Sequence, residues 1–134
     1  MRIIFFGTSS FAVPILEALL KHYEVAAVVT QPDAKVGRKK ILTPPPVKEF
    51  LEVRLLKEVS LRQIEILQPE KLSPIIPRLK EFAPDLMVVA AYGKIIPQAI
   101  IDLPPLGCLN LHPSHLPKYR GPSPVQYTNL NGDK

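Results

Sequence analysis

Short, continuous apolar runs recur along this chain, separated by stretches with helical spacing. The runs are Arg2–Phe6, Val25–Thr30, Ile64–Leu67, Asp85–Ala90 and Gly107–Leu111. A strand that is apolar at consecutive positions shows an oily side chain to both faces, so it belongs inside a sheet covered on both sides. Between the runs, Phe11, Ile15, Leu16, Leu19 and Leu20 follow a possible Ser9/Ser10 cap, with Pro14 tolerated near the helix start. Val47, Phe50, Leu51, Leu55 and Leu56 repeat at helical spacing to about Val59. Ser73–Phe82, Pro97–Ile101 and a segment from Ser123 read as further helices. Gln31–Pro46, with Gly37 and three consecutive prolines, reads as a loop. This order implies one domain over residues 1–134 of the α/β class: a doubly wound, mostly parallel Rossmann-like sheet.

Composition narrows the function classes. Proline is abundant at 16 residues, but the 6 glycines keep the chain below the range of disordered sequences. The longest clean apolar stretch, Leu86–Tyr92, is far short of the ~20 residues of a membrane helix. The apolar start at Ile3–Phe6 is too short for a signal-peptide core. One cysteine forms neither an internal disulfide nor the usual zinc cluster. A cytoplasmic protein is expected. The net charge is +5, and the window Ala34–Lys48 holds Lys35, Arg38, Lys39, Lys40 and Lys48 with no acid. A basic loop points to an anionic partner or to a solvated surface.

Ligands of such sheets sit at the carboxyl ends of the strands. Three loops qualify: Gly7–Phe11, Ala91–Lys94 and Asn110–Gly121. The first has one glycine of the three that a dinucleotide fingerprint needs, so NAD and FAD are disfavoured. No P-loop and no Gly-x-Ser-x-Gly elbow occurs. Cys108 reads as a core thiol, and the pair His112/His115 has no carboxylate or cysteine beside it, so no metal is expected. Strand alternation puts Asn110 and His112 on one face and Leu111 on the other. An amide beside an imidazole can hold an oxyanion and handle a proton, or the two can simply satisfy a loop. The proline-stiffened stretch Pro113–Pro124 next to them adds Lys118 and Arg120.

The run Asn110-Leu111-His112-Pro113-Ser114-His115-Leu116-Pro117-Lys118-Tyr119-Arg120-Gly121 closely resembles the signature of the folate-dependent formyltransferases. Other segments resemble the branch that acts on methionyl-tRNA. These are Phe6-Gly7-Thr8-Ser9-Ser10-Phe11-Ala12, Thr30-Gln31-Pro32-Asp33 with Gly37-Arg38-Lys39-Lys40 and Pro44–Lys48, and Val89–Pro97. The resemblance runs from Arg2 to Asp133. It departs from the family pattern at Ser9, in place of a proline, at His115, in place of a leucine, and at Pro122-Ser123. Lys48–Gln68 is longer than usual by roughly two helical turns.

The resemblance implies a cytoplasmic, monomeric enzyme of translation initiation and one-carbon metabolism. It would move a formyl group from 10-formyltetrahydrofolate to the α-amino group of methionyl-initiator tRNA, without a metal. It assigns catalysis to Asn110 and His112. Ser114, His115, Leu116 and Pro117, with Ala91, Tyr92 and Gly93, would border the folate. Arg38, Lys39 and Lys40 would meet tRNA phosphates. The family's catalytic aspartate and C-terminal β-barrel domain are expected downstream of residue 134, so residues 1–134 read as a truncated, inactive domain. A related formyltransferase or hydrolase acting on a small amine, such as a sugar nucleotide or glycinamide ribonucleotide, and a bare folate- or nucleotide-binding module remain as alternatives.

Overall fold

The computed structural model describes residues 1–121 and 124–132. The fully buried run Ile3–Phe6 lies in strand β1 (Arg2–Gly7), at the centre of a five-stranded parallel sheet. The other strands are β2 (Glu24–Val29), β5 (Glu65–Leu67), β6 (Leu86–Ala90) and β7 (Cys108–Leu111), in the order β5-β2-β1-β6-β7. All four pairings are parallel, with one register shift between Ile3 and Ile4 where β1 meets β2.

Alternation along β1 sends Ile3 and Phe5 to one face and Ile4 and Phe6 to the other. The first face packs with Val28, Val88 and Ala90 under Leu16 of helix α1 (Val13–His22) and Val47 and Leu51 of helix α2 (Pro46–Lys57). The second packs with Ala27, Val29 and Met87 under Leu72, Leu79 of helix α3 (Ile76–Glu81), Tyr92 and Ile100 of helix α4 (Gln98–Ile101). Each fully buried Ile or Phe contributes roughly 1.5–3 kcal/mol, so this one strand anchors both layers. The described residues contain no helix long and apolar enough to cross a membrane.

The doubly wound parallel sheet expected from the apolar runs is therefore present, with four local differences. Ser9 precedes a 3-10 turn (Ser10–Ala12) and makes no side-chain cap, and α1 begins only at Val13 with Pro14 in its first turn. The expected loop Gln31–Pro46 contains a hairpin, β3 (Ala34–Val36) paired antiparallel with β4 (Ile41–Thr43). In α2, Leu56 lies away from the core at 80% exposure, and the helix stops before Val59. Strand β7 is not buried on both faces. Among the described residues it pairs only with β6, and Leu109 and Leu111 are exposed. The last helix, α5 (Pro124–Leu130), matches the expected one, whose proposed start at Ser123 is outside the described residues.

From β1 the chain passes to β2 and then β5 on one side, and later returns to β6 and β7 on the other. The β1/β6 boundary is thus a topological switch point, where loops leave in opposite directions and open a crevice. Gly7 ends β1 there. A Cβ on it would lie 2.5 Å from the Phe5 ring and 2.9 Å from the Ala12 Cβ. The missing side chain is what lets the 3-10 turn close onto the sheet. G7A is expected to destabilise the protein by about 1–3 kcal/mol, measured by chemical denaturation; an unchanged midpoint would show that Phe5 gives way freely.

Candidate active site at the carboxyl ends of the strands

Strands β6 and β7 are neighbours, so the loops that follow them leave the sheet side by side. After β6 the backbone turns sharply: Ala91 has φ +44° and Gly93 φ +87°. The left-handed conformation costs a residue with a Cβ roughly 1–2 kcal/mol, so something must hold Ala91 in place. The Tyr92 carbonyl accepts two hydrogen bonds, from Thr8 Oγ1 at 2.8 Å and from Gln31 Nε2 at 3.1 Å. The Tyr92 ring faces the other way, buried in the second core layer and edge-on to Phe6 at 5.4 Å. Burial pushes its hydroxyl up to about 12. Of the expected folate-side residues 91–93, Tyr92 therefore shapes the turn from within. Ala91 is half-buried and Gly93 is exposed.

Asn110 lies within β7, opposite Val89 of β6, and is exposed. His112 is half-buried, one residue beyond the strand. The residues after it are knitted locally. His112 Nε2 is 3.0 Å from the Gly121 carbonyl, which only accepts, so this nitrogen carries a proton. His112 Nδ1 is 2.9 Å from Ser114 Oγ, and that hydroxyl donates to the Lys118 carbonyl at 3.0 Å. Both ring nitrogens of His112 are thus engaged by its own loop. For His112 Nε2 to serve a ligand it must leave Gly121. Ser114 is half-buried, while His115, Leu116 and Pro117 are exposed around a cis Leu116–Pro117 bond.

The basic residues are elsewhere. Arg38, Lys39 and Lys40 occupy the exposed turn between β3 and β4, closed by Lys40 N–H donating to the Gly37 carbonyl at 3.1 Å. Gly37 at φ +73° supplies the reversal. Lys48 does not belong with them. Its Nζ donates to both carboxylate oxygens of Asp33 at 2.9 Å, and Gln68 Nε2 donates to Asp33 Oδ1 at 2.7 Å. The Gln68 amide and then Lys48 hold the Asp33 carboxyl below the usual carboxylate range. The window Ala34–Lys48 thus leaves Lys35, Arg38, Lys39 and Lys40 exposed, with Lys48 as an internal counter-ion.

Sequence reasoning did not single out Thr8, Gln31 or Gln68 as site-building residues. Each sits just past the carboxyl end of a parallel strand: β1, β2 and β5 respectively. A polar residue at that repeated position was the available signal. Among the described residues, no group of three His, Cys, Asp or Glu side chains gathers as a metal site. Cys108 is partly buried, and burial raises its thiol.

The Formyl transferase family matches the chain over residues 1–134. The methionyl-tRNA formyltransferase of Acetivibrio thermocellus is 50% identical over 137 residues, a match that covers 100% of this chain and 42% of that protein. The methionyl-tRNA formyltransferase of Nitratiruptor sp. is 52% identical over 135 residues, covering 99% of this chain and 42% of its own. The chain spans about two fifths of the length of these curated relatives. Among solved structures, phosphoribosylglycinamide formyltransferase from Streptococcus pneumoniae TIGR4 superposes with a TM-score of 0.68 at 16% identity, over 98% of this chain and 67% of that one, a likeness of fold. With its parallel sheet, its Asn110-Leu111-His112 strand end and this match from end to end, the chain belongs to the formyl transferase family.

Proposed function

We propose that this chain is the N-terminal, donor-binding and catalytic domain of a cytoplasmic, monomeric methionyl-tRNA formyltransferase. The reaction would carry a formyl group from 10-formyltetrahydrofolate to the α-amino group of methionyl-initiator tRNA. The observation that carries this reading is the position of Asn110 and His112 at the carboxyl end of β7, beside the strained 91–93 turn, in a chain half identical to enzymes of that name.

The amine nitrogen attacks the formyl carbon, and the former carbonyl oxygen becomes negative. Asn110 donates a hydrogen bond to that oxygen. His112 donates a second when its Nε2–H turns from Gly121. The carbon–nitrogen bond to the folate then breaks, and a proton passes from the attacking amine to the departing nitrogen. Ser114, His115, Leu116 and Pro117 line one side of the donor. Ala91, Gly93 and the backbone of Tyr92 line the other. Arg38, Lys39 and Lys40 meet phosphates of the tRNA from the hairpin tip, a role that a small amine substrate would not need.

In the full-length protein, N110A and H112A are each expected to lower kcat by about 10²–10³, the usual loss for one oxyanion donor. Formation of formylmethionyl-tRNA measures this, and wild-type turnover in both variants would end the assignment. The triple variant R38A/K39A/K40A is expected to bind tRNA more weakly. It should also flatten the plot of log Kd against log salt by about 2–3 units, because up to three phosphate contacts no longer release counterions. Binding of tetrahydrofolate should be unchanged. A tRNA affinity and salt slope equal to wild type would favour a small-amine substrate.

A further inference from the structure

The two substrate-facing features, the 91–93 turn and the basic hairpin, leave the sheet on opposite sides of β1. One continuous chain of hydrogen bonds joins them. Gln31 Nε2 donates to the Tyr92 carbonyl at 3.1 Å. The Gln31 carbonyl accepts from Gln68 Nε2 at 3.0 Å, and the same Gln68 amide reaches Asp33 at 2.7 Å. Asp33 is the last residue before β3 and is fixed to α2 by Lys48.

We propose that Gln31 is a positioning residue that locks the 91–93 turn and the base of the β3–β4 hairpin at one fixed spacing, so that formyl donor and tRNA are held in register. The inference rests on the function proposed above. Its physical basis is that neither feature is self-supporting. A two-stranded ribbon is marginal in water and needs an anchored base. The 91–93 turn carries a left-handed alanine and needs its carbonyl held. Gln31 bonds the turn directly through its side-chain amide, and its own carbonyl is held by Gln68, whose amide also reaches Asp33 at the hairpin base. It does not reach Asn110 or His112 through any of these bonds, so it acts on placement and not on the reacting atoms.

The test compares Q31E, T8V and D33N in the full-length protein, by steady-state formylation of methionyl-tRNA. Q31E keeps the side-chain shape but sets an acceptor against the Tyr92 carbonyl. It should raise KM for the formyl donor and for methionyl-tRNA each on the order of tenfold, with kcat within about threefold. T8V, which removes the bond to the Tyr92 carbonyl and a longer one from the Gln31 N–H, should raise the donor KM more than the tRNA KM, and D33N only the tRNA KM. In the double variant Q31E/D33N the tRNA KM should rise by less than the product of the single effects, since both lie on one path. If Q31E fails to fold, Q31N, which withdraws the amide by one methylene, carries the same expectation. A Q31 variant that alters thermal stability alone, or shifts only one KM, overturns the proposal. Wild-type protein that forms no formylmethionyl-tRNA removes the underlying function and this inference with it. An active wild type whose Q31 variants keep both KM values removes the inference alone.

Discussion

Parallel pairing puts all strand ends of one polarity along a single rim, and the rest of the molecule answers that constraint. The strands β1, β2, β5 and β6 end together, and each leaves backbone groups that the sheet no longer pairs. Thr8, Gln31 and Gln68 fill this gap with side chains of suitable reach. The same rim is where the apolar layers stop, so the loops there can be polar, bent and still well seated. The placement of the candidate site is thus a by-product of how the sheet terminates.

Two kinds of support build the site. The turn at 91–93 depends on distant partners, with Thr8 and Gln31 lying 84 and 61 positions before Tyr92. The segment from His112 to Gly121 depends mainly on itself, through the bonds of His112 to Ser114 and Gly121. The hairpin is intermediate: its turn is closed locally by Gly37 and Lys40, while its base is tied by Asp33, Lys48 and Gln68. The Asp33–Lys48 pair is partly shielded, which limits screening by salt, whereas Arg38, Lys39 and Lys40 at the tip are open to it.

The strands that organise the core were legible because each is a short unbroken apolar run. What misled was chemistry that looks alike in different settings. Cys108–Leu111 reads as a buried strand apart from Asn110, yet it has no second neighbour among the described residues and is half exposed. Ala34–Thr43 turns at a single glycine, Gly37, and has just three residues per strand, too few for any period to show. The Asn110 to Gly121 motif was visible because its residues are consecutive. The bonds of Thr8, Gln31 and Gln68 span tens of positions, and Lys48 looked like one more surface cation until Asp33 was found beside it.

Strand β7 gives Asn110 a particular mechanical setting. Among the described residues it is bonded along one flank only, and such a strand can twist more readily than one clasped on both. The stretch that follows is knit to itself by the bonds of His112 and Ser114. A polypeptide that lay along the other flank of β7 would therefore stiffen Asn110, the oxyanion donor proposed above, without touching it. How sharply that amide is aimed is then a property of the single β6–β7 seam that holds it among the described residues.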